Sequence, residues 1–589
     1  MWIDTADHLE WIGTQSRPHD RCGHQEERCR EQERADECVE AELFAAVWDL
    51  YAASAVADPR KYGGPWGFDS DFPSGLVVAG WDVIEHDPAL SDEQRLRVTK
   101  TLGRWLAEAV IPKCAGAARS PRVPHNHQTF PALGALFAGL YFSQGYDTIE
   151  GRTWLGMADA IFQRQAGYFK SHEDCNGYQW LSNGHLMRYA VARSDMTLFE
   201  NGNAKRIIDF CIGNMDNLGY QVPYGDTGSW QCWNSELICL DIFGFLTSDP
   251  ASIWAGALKR RIKNTCETFA FYRSGEGEKP DRFDGVQVWP LEPAYYETFP
   301  AEVRPPLDKC VDKITFREVL DPQAAYLLLD GLSNGGHKHL DGNSVPRLTQ
   351  FDRIWLADND YFKAQVKYHN SLLVFKDGES APIPEYCELL GAGETPRYGF
   401  SRTRLSGYAG VDWDRTVVWL KAQKAFVVLD RVVPQEQGRY QLRLLWHGIG
   451  TAEISGNGLL LSQQGPSFRL DFAPGPGLTL NDDEALGENW RGYPHAEPVV
   501  RSLSAIAAVD LGAGEPYLFA TALHGKPDST VTPWQLRPVA GADGVLAQTD
   551  SGNVGIVLGP MQAWPSGPTF QSDANVIVTD DAGLTLLGS

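Results

Sequence analysis

The stretch Gly335-Gly336-His337-Lys338-His339-Leu340-Asp341-Gly342, followed by Asp358 and then His369-Asn370, puts three of the chain's fourteen histidines within 33 residues. Imidazoles and carboxylates at this density, flanked by glycines, are the side chains of a metal site or of acid/base catalysis. In an extended segment His337, His339 and Asp341 project to one face, whereas positions i and i+2 diverge on a helix, so a strand or loop is expected here. Strands are read on either side, over 324–330 and 348–356, and neighbouring strands would bring His339, Asp358 and His369 together. Two imidazoles and one carboxylate are a common zinc ligand set with a fourth position open. The alternative is a set of solvated polar residues on a sheet face.

Two further constellations lie earlier in the chain. Pro124-His125-Asn126-His127-Gln128-Thr129 opens a helix, and polar side chains beside free backbone N–H groups can receive a carboxylate there. A plain capped helix is the alternative. The run Glu173-Asp174-Cys175-Asn176-Gly177-Tyr178-Gln179-Trp180-Leu181-Ser182-Asn183-Gly184-His185, with Tyr189 a helical turn beyond, offers Tyr178, His185 and Tyr189 as proton-transfer groups. Nineteen tryptophans and twenty-one tyrosines are generous for this length, and aromatic faces suit sugar rings. Tyr178 and Trp230, the latter ending Gly225-Asp226-Thr227-Gly228-Ser229-Trp230, are the candidates for such contact. Asp226 and Glu236 are the available carboxylate pair should the chemistry instead be glycoside hydrolysis.

The elements that must position these residues change character near residue 300. Apolar residues recur at helical spacing over 43–51, 130–141, 154–169, 204–212, 236–245 and 253–271, and Ser91-Asp92-Glu93-Gln94 is a capping box opening a helix to Val110. Seven or more consecutive helices without strands predict an all-α domain over 1–300, read as stacked hairpins in an (α/α) toroid. Beyond 300 the period becomes two. Thr416–Leu420 and Ala425–Leu429 flank Lys421–Lys424 as a hairpin, and Leu442, Leu444 and Trp446 alternate with Gln441, Arg443 and Leu445. An antiparallel β-sandwich is expected over 301–589.

At 589 residues the chain exceeds one ordinary core, so two or more domains are expected. A net charge of −24 without a basic stripe argues against nucleic acid as a partner; an anionic substrate remains open, because salt screens the global field and local groups decide. Eleven irregularly spaced cysteines do not form a disulfide framework. Cys22, His24 and Cys29 fall in a charged run over 17–42 that reads as a solvated helix rather than a metal site. With neither a signal peptide nor an eighteen-residue apolar run, no membrane contact is expected and a cytoplasmic location is read for the sequence as given, periplasmic or secreted if a leader is missing.

A helical domain with an Asn126-His127 pair, a later proton-transfer cluster, and a β-domain opening with Gly-Gly-His-x-His-x-Asp and closing with His-Asn resembles the heparinase II/III-like polysaccharide lyases. The resemblance spans most of the chain in order and architecture and is most specific from His337 to Asn370. It implies cleavage of an acidic polysaccharide beside a uronic acid by β-elimination. It implies that Asn126, with His127, neutralises the uronate carboxylate, that His337 is a catalytic histidine, and that His339, Asp358 and His369 hold a divalent metal, usually zinc, in a mainly structural role. Where the family carries tyrosine in a Ser-Pro-x-Tyr-like segment, this chain has Ser182-Asn183-Gly184-His185, so His185, Tyr189 and Tyr178 all stay open as base or acid. A uronyl C5-epimerase, a glycoside hydrolase and a non-catalytic sugar-binding protein are the competing readings.

Overall fold

The computed structural model describes residues 71–123, 125–227, 230–232, 235–263, 275–296, 304–356, 358, 361, 363–559 and 572–588. The expected helix over 43–51, the charged run with Cys22, His24 and Cys29, and the end of the segment 253–271 lie outside these residues.

The first half is helical: α1 (Ser74–Ile84), α2 (Asp92–Trp105), α3 (Ile111–Arg119), α4 (Asn126–Leu140), α5 (Ile149–Gln165), α6 (Tyr178–Arg193), α7 (Thr197–Glu200), α8 (Asn203–Gly213), α9 (Leu237–Thr247) and α10 (Pro250–Lys263). The Ser91 box works in both directions, with Gln94 N donating to Ser91 Oγ (3.2 Å) and Ser91 N to Gln94 Oε1 (2.8 Å), which satisfies two donors that the first turn leaves free. One apolar core joins these helices through Trp81, Leu102, Leu136, Phe162, Trp180 and Ile242. Among the described residues no helix is long and apolar enough to cross a membrane, and the described cysteines are buried and form no disulfide.

The second half is antiparallel β and begins ahead of residue 300, because the strand Gly285–Pro290 pairs with Cys310–Arg317. A 13-stranded, a 4-stranded and a 5-stranded sheet make three layers. The hairpin pairs Leu420 with Ala425 and Thr416 with Leu429. From it Val417, Trp419, Phe426 and Val428 pack against Leu372, Leu442, Leu444 and Leu503 of the 4-stranded sheet. Val418, Leu420, Val427 and Leu429 pack the other way, against Val545, Ile556 and Val578 of the C-terminal sheet. Burial on both faces is why these strands read as unbroken apolar runs rather than alternating ones. The third layer is an addition to the two-layer sandwich expected.

Buried cations fasten the halves together. Arg317 donates to Asn217 Oδ1 (2.7 Å) and to the carbonyls of Gly213 (3.1 Å) and Met215 (2.7 Å) at the end of α8, where a helix presents unpaired carbonyls. Lys313, fully buried, donates to Asp174 (2.9 Å), Asp312 (2.9 Å) and Asp330 (2.8 Å), and Lys170 donates to Asp312 (2.8 Å). Lys170 and Asp174 come from the helical half and the other three from the β half. Removing one member of such a cluster leaves buried charge uncompensated. Lys313→Met is therefore expected to destabilise the fold by about 3–5 kcal/mol, read as a lower midpoint of denaturant unfolding; an unchanged midpoint would mean the cluster contributes no net stability.

Candidate active site

The segment bearing His337 is an irregular loop, the second of the two forms expected, and its shape comes from pairing with the helical half. Gly336 N donates to His172 O (2.8 Å), Asp174 N to Gly336 O (3.1 Å), and Asp226 N to His337 O (2.9 Å). Between these clamps Gly335 takes φ +115° and His337 itself φ +57°, a left-handed conformation that few side chains adopt without cost. The chain turns at this point, so His337 points one way while His339 and Asp341 point another. Gly225 closes the seat: with φ +65° it lies so near that a Cβ would come 2.1 Å from Asp174 O and 2.6 Å from His337 O, a position only glycine fills.

The His337 ring stacks on Tyr178 at the start of α6 (centroids 3.9 Å, 11° between planes), and the His127 ring lies near-parallel to it at 6.1 Å. His337 Nδ1 is 3.5 Å from Glu173 Oε1, an ion-pair distance longer than a hydrogen bond. Glu173 is fully buried and is held in place by Asn126 N (2.9 Å to Oε1), Ser182 Oγ (2.9 Å to Oε2) and Ser171 Oγ (3.2 Å to Oε2). It therefore links α4, α6 and the His337 loop, as a carboxylate that orients an imidazole and stabilises its cation does in other acid/base sites. Nothing in the run Glu173–His185 marks Glu173 for this part, because its partners Asn126 and His337 are distant in sequence.

Asn126 is the first residue of α4, with His125 as the cap accepting from His127 N at Nδ1 (3.2 Å). The Asn126 side chain is fully buried and neither its Oδ1 nor its Nδ2 has a partner. An unpaired buried amide costs free energy that a hydrogen-bonding ligand would recover. Burial holds the Tyr178 hydroxyl well above the usual phenol range, reinforced by its bond to the Tyr361 hydroxyl (2.8 Å) across the seam, so Tyr178 keeps its proton. Burial also lowers the pKa of His125, with Glu173 opposing.

Three expected site residues are not among this group. His185 lies on α6 about 10 Å past Tyr178 by helical rise, buried against Phe130 (4.4 Å) and bonded to Thr129 Oγ1 (2.9 Å), and burial pushes its pKa down to about 3. Tyr189, about 16 Å past Tyr178, stacks on Phe162 in the helical core and bonds Asp195 (3.3 Å). Trp230 packs edge-on between Tyr220 and Tyr493. The hydrolase pair is not available either, since Glu236 is buried in an ion pair with Lys259 (2.7 Å) and Asp226 bonds His339.

Behind the loop, His339, Asp341 and His369 each bring a ligand atom within 4.8 Å of the other two. His339 Nδ1, Asp341 Oδ1 and His369 Nε2 are buried and unpaired, while the remaining ring nitrogens face carboxylates, His339 Nε2 that of Asp226 (3.0 Å) and His369 Nδ1 that of Asp358 (2.9 Å). Carboxylates behind the free nitrogens are what metal-binding histidines commonly have, so the donors fit a divalent metal. Asp358 is corrected by this arrangement. Its oxygens are taken by His369, Asn370 N (3.0 Å) and Ser344 Oγ (3.0 Å), and the carboxylate grouped with His339 and His369 is that of Asp341. Burial opposes a charge on His369, but Asp358 outweighs it and raises the pKa.

No protein-family model matches the sequence, and no curated protein matches it. Among solved structures, a heparinase III aligns with a TM-score of 0.62 over 92% of this chain and 78% of its own, at 10% identity. The heparan sulfate lyase HepC from Pedobacter heparinus gives 0.56 over 87% and 72% at 12% identity, and a second heparinase III gives 0.58 over 87% and 73% at 13% identity. At these identities the likeness is one of fold: helices followed by a large antiparallel β region, in the manner of the heparinase-like polysaccharide lyases.

Proposed function

We propose that this chain, having that lyase fold, is itself a polysaccharide lyase that cleaves an acidic polysaccharide next to a uronate by β-elimination, with the helical half closed as an (α/α) toroid. The observation that carries the reading is His337 stacked on Tyr178 and backed by Glu173, beside the unpaired buried amide of Asn126. That the structural neighbours are named as heparan sulfate lyase and heparinase supports it.

The C5 proton of a uronate is weakly acidic while its carboxylate stays charged, so that charge must be met. Asn126 Nδ2 and His127 donate to the carboxylate and stabilise the enolate-like transition state, as oriented donors do in an oxyanion hole. His337 takes the C5 proton, and Glu173 stabilises the imidazolium so formed. The C5–H electron pair becomes the C4–C5 double bond, the C4–O4 bond breaks, and the Tyr178 hydroxyl protonates O4. Solvent exchange returns His337 and Tyr178 to their starting states. Incubation with alginate, heparan, chondroitin, hyaluronan and glucuronan tests this through the ultraviolet absorbance of the unsaturated product; C5 exchange with solvent hydrogen and no absorbance would replace the lyase reading with epimerisation.

A divalent metal, zinc by its nitrogen and oxygen donors, would be held by His339, Asp341 and His369. When bound it braces the loop that carries His337, since elimination needs no metal-bound hydroxide. Chelation is expected to lower thermal stability by about 3 kcal/mol, the linkage for a metal present near a hundredfold above its Kd, and His369→Ala to abolish metal uptake measured by elemental analysis. An unchanged melting temperature in chelator and no metal in the purified protein would remove the metal from the account.

A further inference from the structure

The segment that follows Asp358 runs back along the His337 loop. The Tyr361 hydroxyl bonds that of Tyr178 (2.8 Å), and Ala364 O accepts from Leu340 N (2.8 Å), so Lys363, between them, stands at most about 7 Å of chain from Tyr361. The segment ends in a single 3₁₀ turn, Val366–Tyr368, directly ahead of His369. Lys363 and Lys367 both reach the ring of Tyr368, their ammoniums 5.6 Å and 4.8 Å from its centroid. The ring quadrupole attracts both cations, so part of the cost of ordering two long side chains is met before any ligand arrives.

Lys367 is exposed and pairs with no carboxylate among the described residues, and the hydroxyl of the half-buried Tyr368 makes no hydrogen bond with them. The setting makes this unusual. The chain carries a net charge of −24, and Lys338 in the His337 loop is answered by Glu385 (2.7 Å), as Lys170 and Lys313 are by buried aspartates. An ammonium and a phenol hydroxyl without acceptors, with a second ammonium at the same ring, are complementary to an oxyanion. Position then says which part of a substrate would carry that anion. In the elimination O4 departs with the sugar attached to it, and Tyr178 is the group that protonates O4. Tyr361 meets Tyr178 at that hydroxyl, so the segment leads away from the reacting ring on the side of the departing chain.

We infer that Lys367, with Lys363 and the Tyr368 hydroxyl, forms an anion subsite that holds an acidic group, a carboxylate or a sulfate ester, on the part of the polysaccharide that departs with O4. The anion site stands by itself; the side of the cut on which it acts rests on the lyase reading.

Calorimetric titration of the full chain carrying His337→Ala, at several salt concentrations, tests it. The probes are size-defined oligosaccharides of alginate and hyaluronan, which bear carboxylates only, of chondroitin 6-sulfate, which bears sulfates as well, and of uncharged chitin. Lys367→Gln is expected to weaken the tightest acidic probe about tenfold, the worth of one charged hydrogen bond, and to lower the slope of log Kd against log salt by about one, since one counterion fewer is released. Lys367→Arg should retain binding, and Lys338→Gln, whose charge Glu385 already answers, should not reproduce the loss. A loss shared by the acidic probes assigns the group as a carboxylate, and one confined to chondroitin sulfate assigns it as a sulfate ester. Folded Lys367→Gln and Tyr368→Phe variants that bind every acidic probe as their parent does, an equal loss in Lys338→Gln, equal affinity for the chitin probe, or no binding of any acidic probe would each overturn the subsite. Binding that depends on Lys367, with no unsaturated product from the unmodified chain, would keep the subsite and count against the lyase reading alone.

Discussion

His337→Ala is expected to lower kcat about 10²–10⁴-fold, the range that a positioned acid or base contributes, while the protein stays folded. The side chain contributes little to the core: it is 20% exposed and its Nδ1 makes no hydrogen bond. Alanine also meets the same left-handed backbone cost as histidine at φ +57°, so the substitution leaves the strain of the loop unchanged. Loss of turnover with an unaltered circular dichroism spectrum and melting temperature is therefore the signature. Turnover within about threefold of the unmodified enzyme would show that His337 moves no proton in the slow step, against the general-catalysis range.

Asn126→Ala is expected to cost about 10²–10³ in kcat, as for removal of one oriented donor, with a stability signature opposite to that of a structural residue. Both polar atoms of the side chain are buried and unpaired, so an apolar replacement removes a standing desolvation penalty and leaves stability equal or higher. The cap of α4 is His125, which the change leaves in place. Activity that falls while the unfolding midpoint holds or rises would support carboxylate recognition. A falling midpoint with unaltered turnover would show that Asn126 serves the fold.

The parts of this molecule legible in the sequence are those in which local pattern and tertiary context agree. Ser91 and Gln94 form their capping box, and the 416–429 hairpin has the register that its turn implies. The segment 348–356 was less legible. It breaks into Arg347–Gln350 and Arg353–Ile354 at a turn where Phe351 and Asp352 both take φ +58°, without the glycine that ordinarily signals such a turn. Helix α6 was hidden because Gln179, Ser182, Asn183 and His185 are buried on it along with the apolar residues, which blurs the stripe that marks a helix. The same burial keeps His185 and Tyr189 away from His337. For the metal donors, alternation did pair His339 with Asp341, but only the three-dimensional path could show that Asp358 is already spoken for by Ser344, His369 and Asn370.

The charge cluster around Lys313 bears on how such a molecule can be inherited. Because Lys170 of the helical half pairs with Asp312 of the β half, and Asp174 of the helical half with Lys313 of the β half, neither half can be exchanged for a counterpart from a distant relative without leaving buried charge short of a partner in a dry seam. Descent by shuffling of these modules is thereby discouraged, and the two halves are bound to change in step.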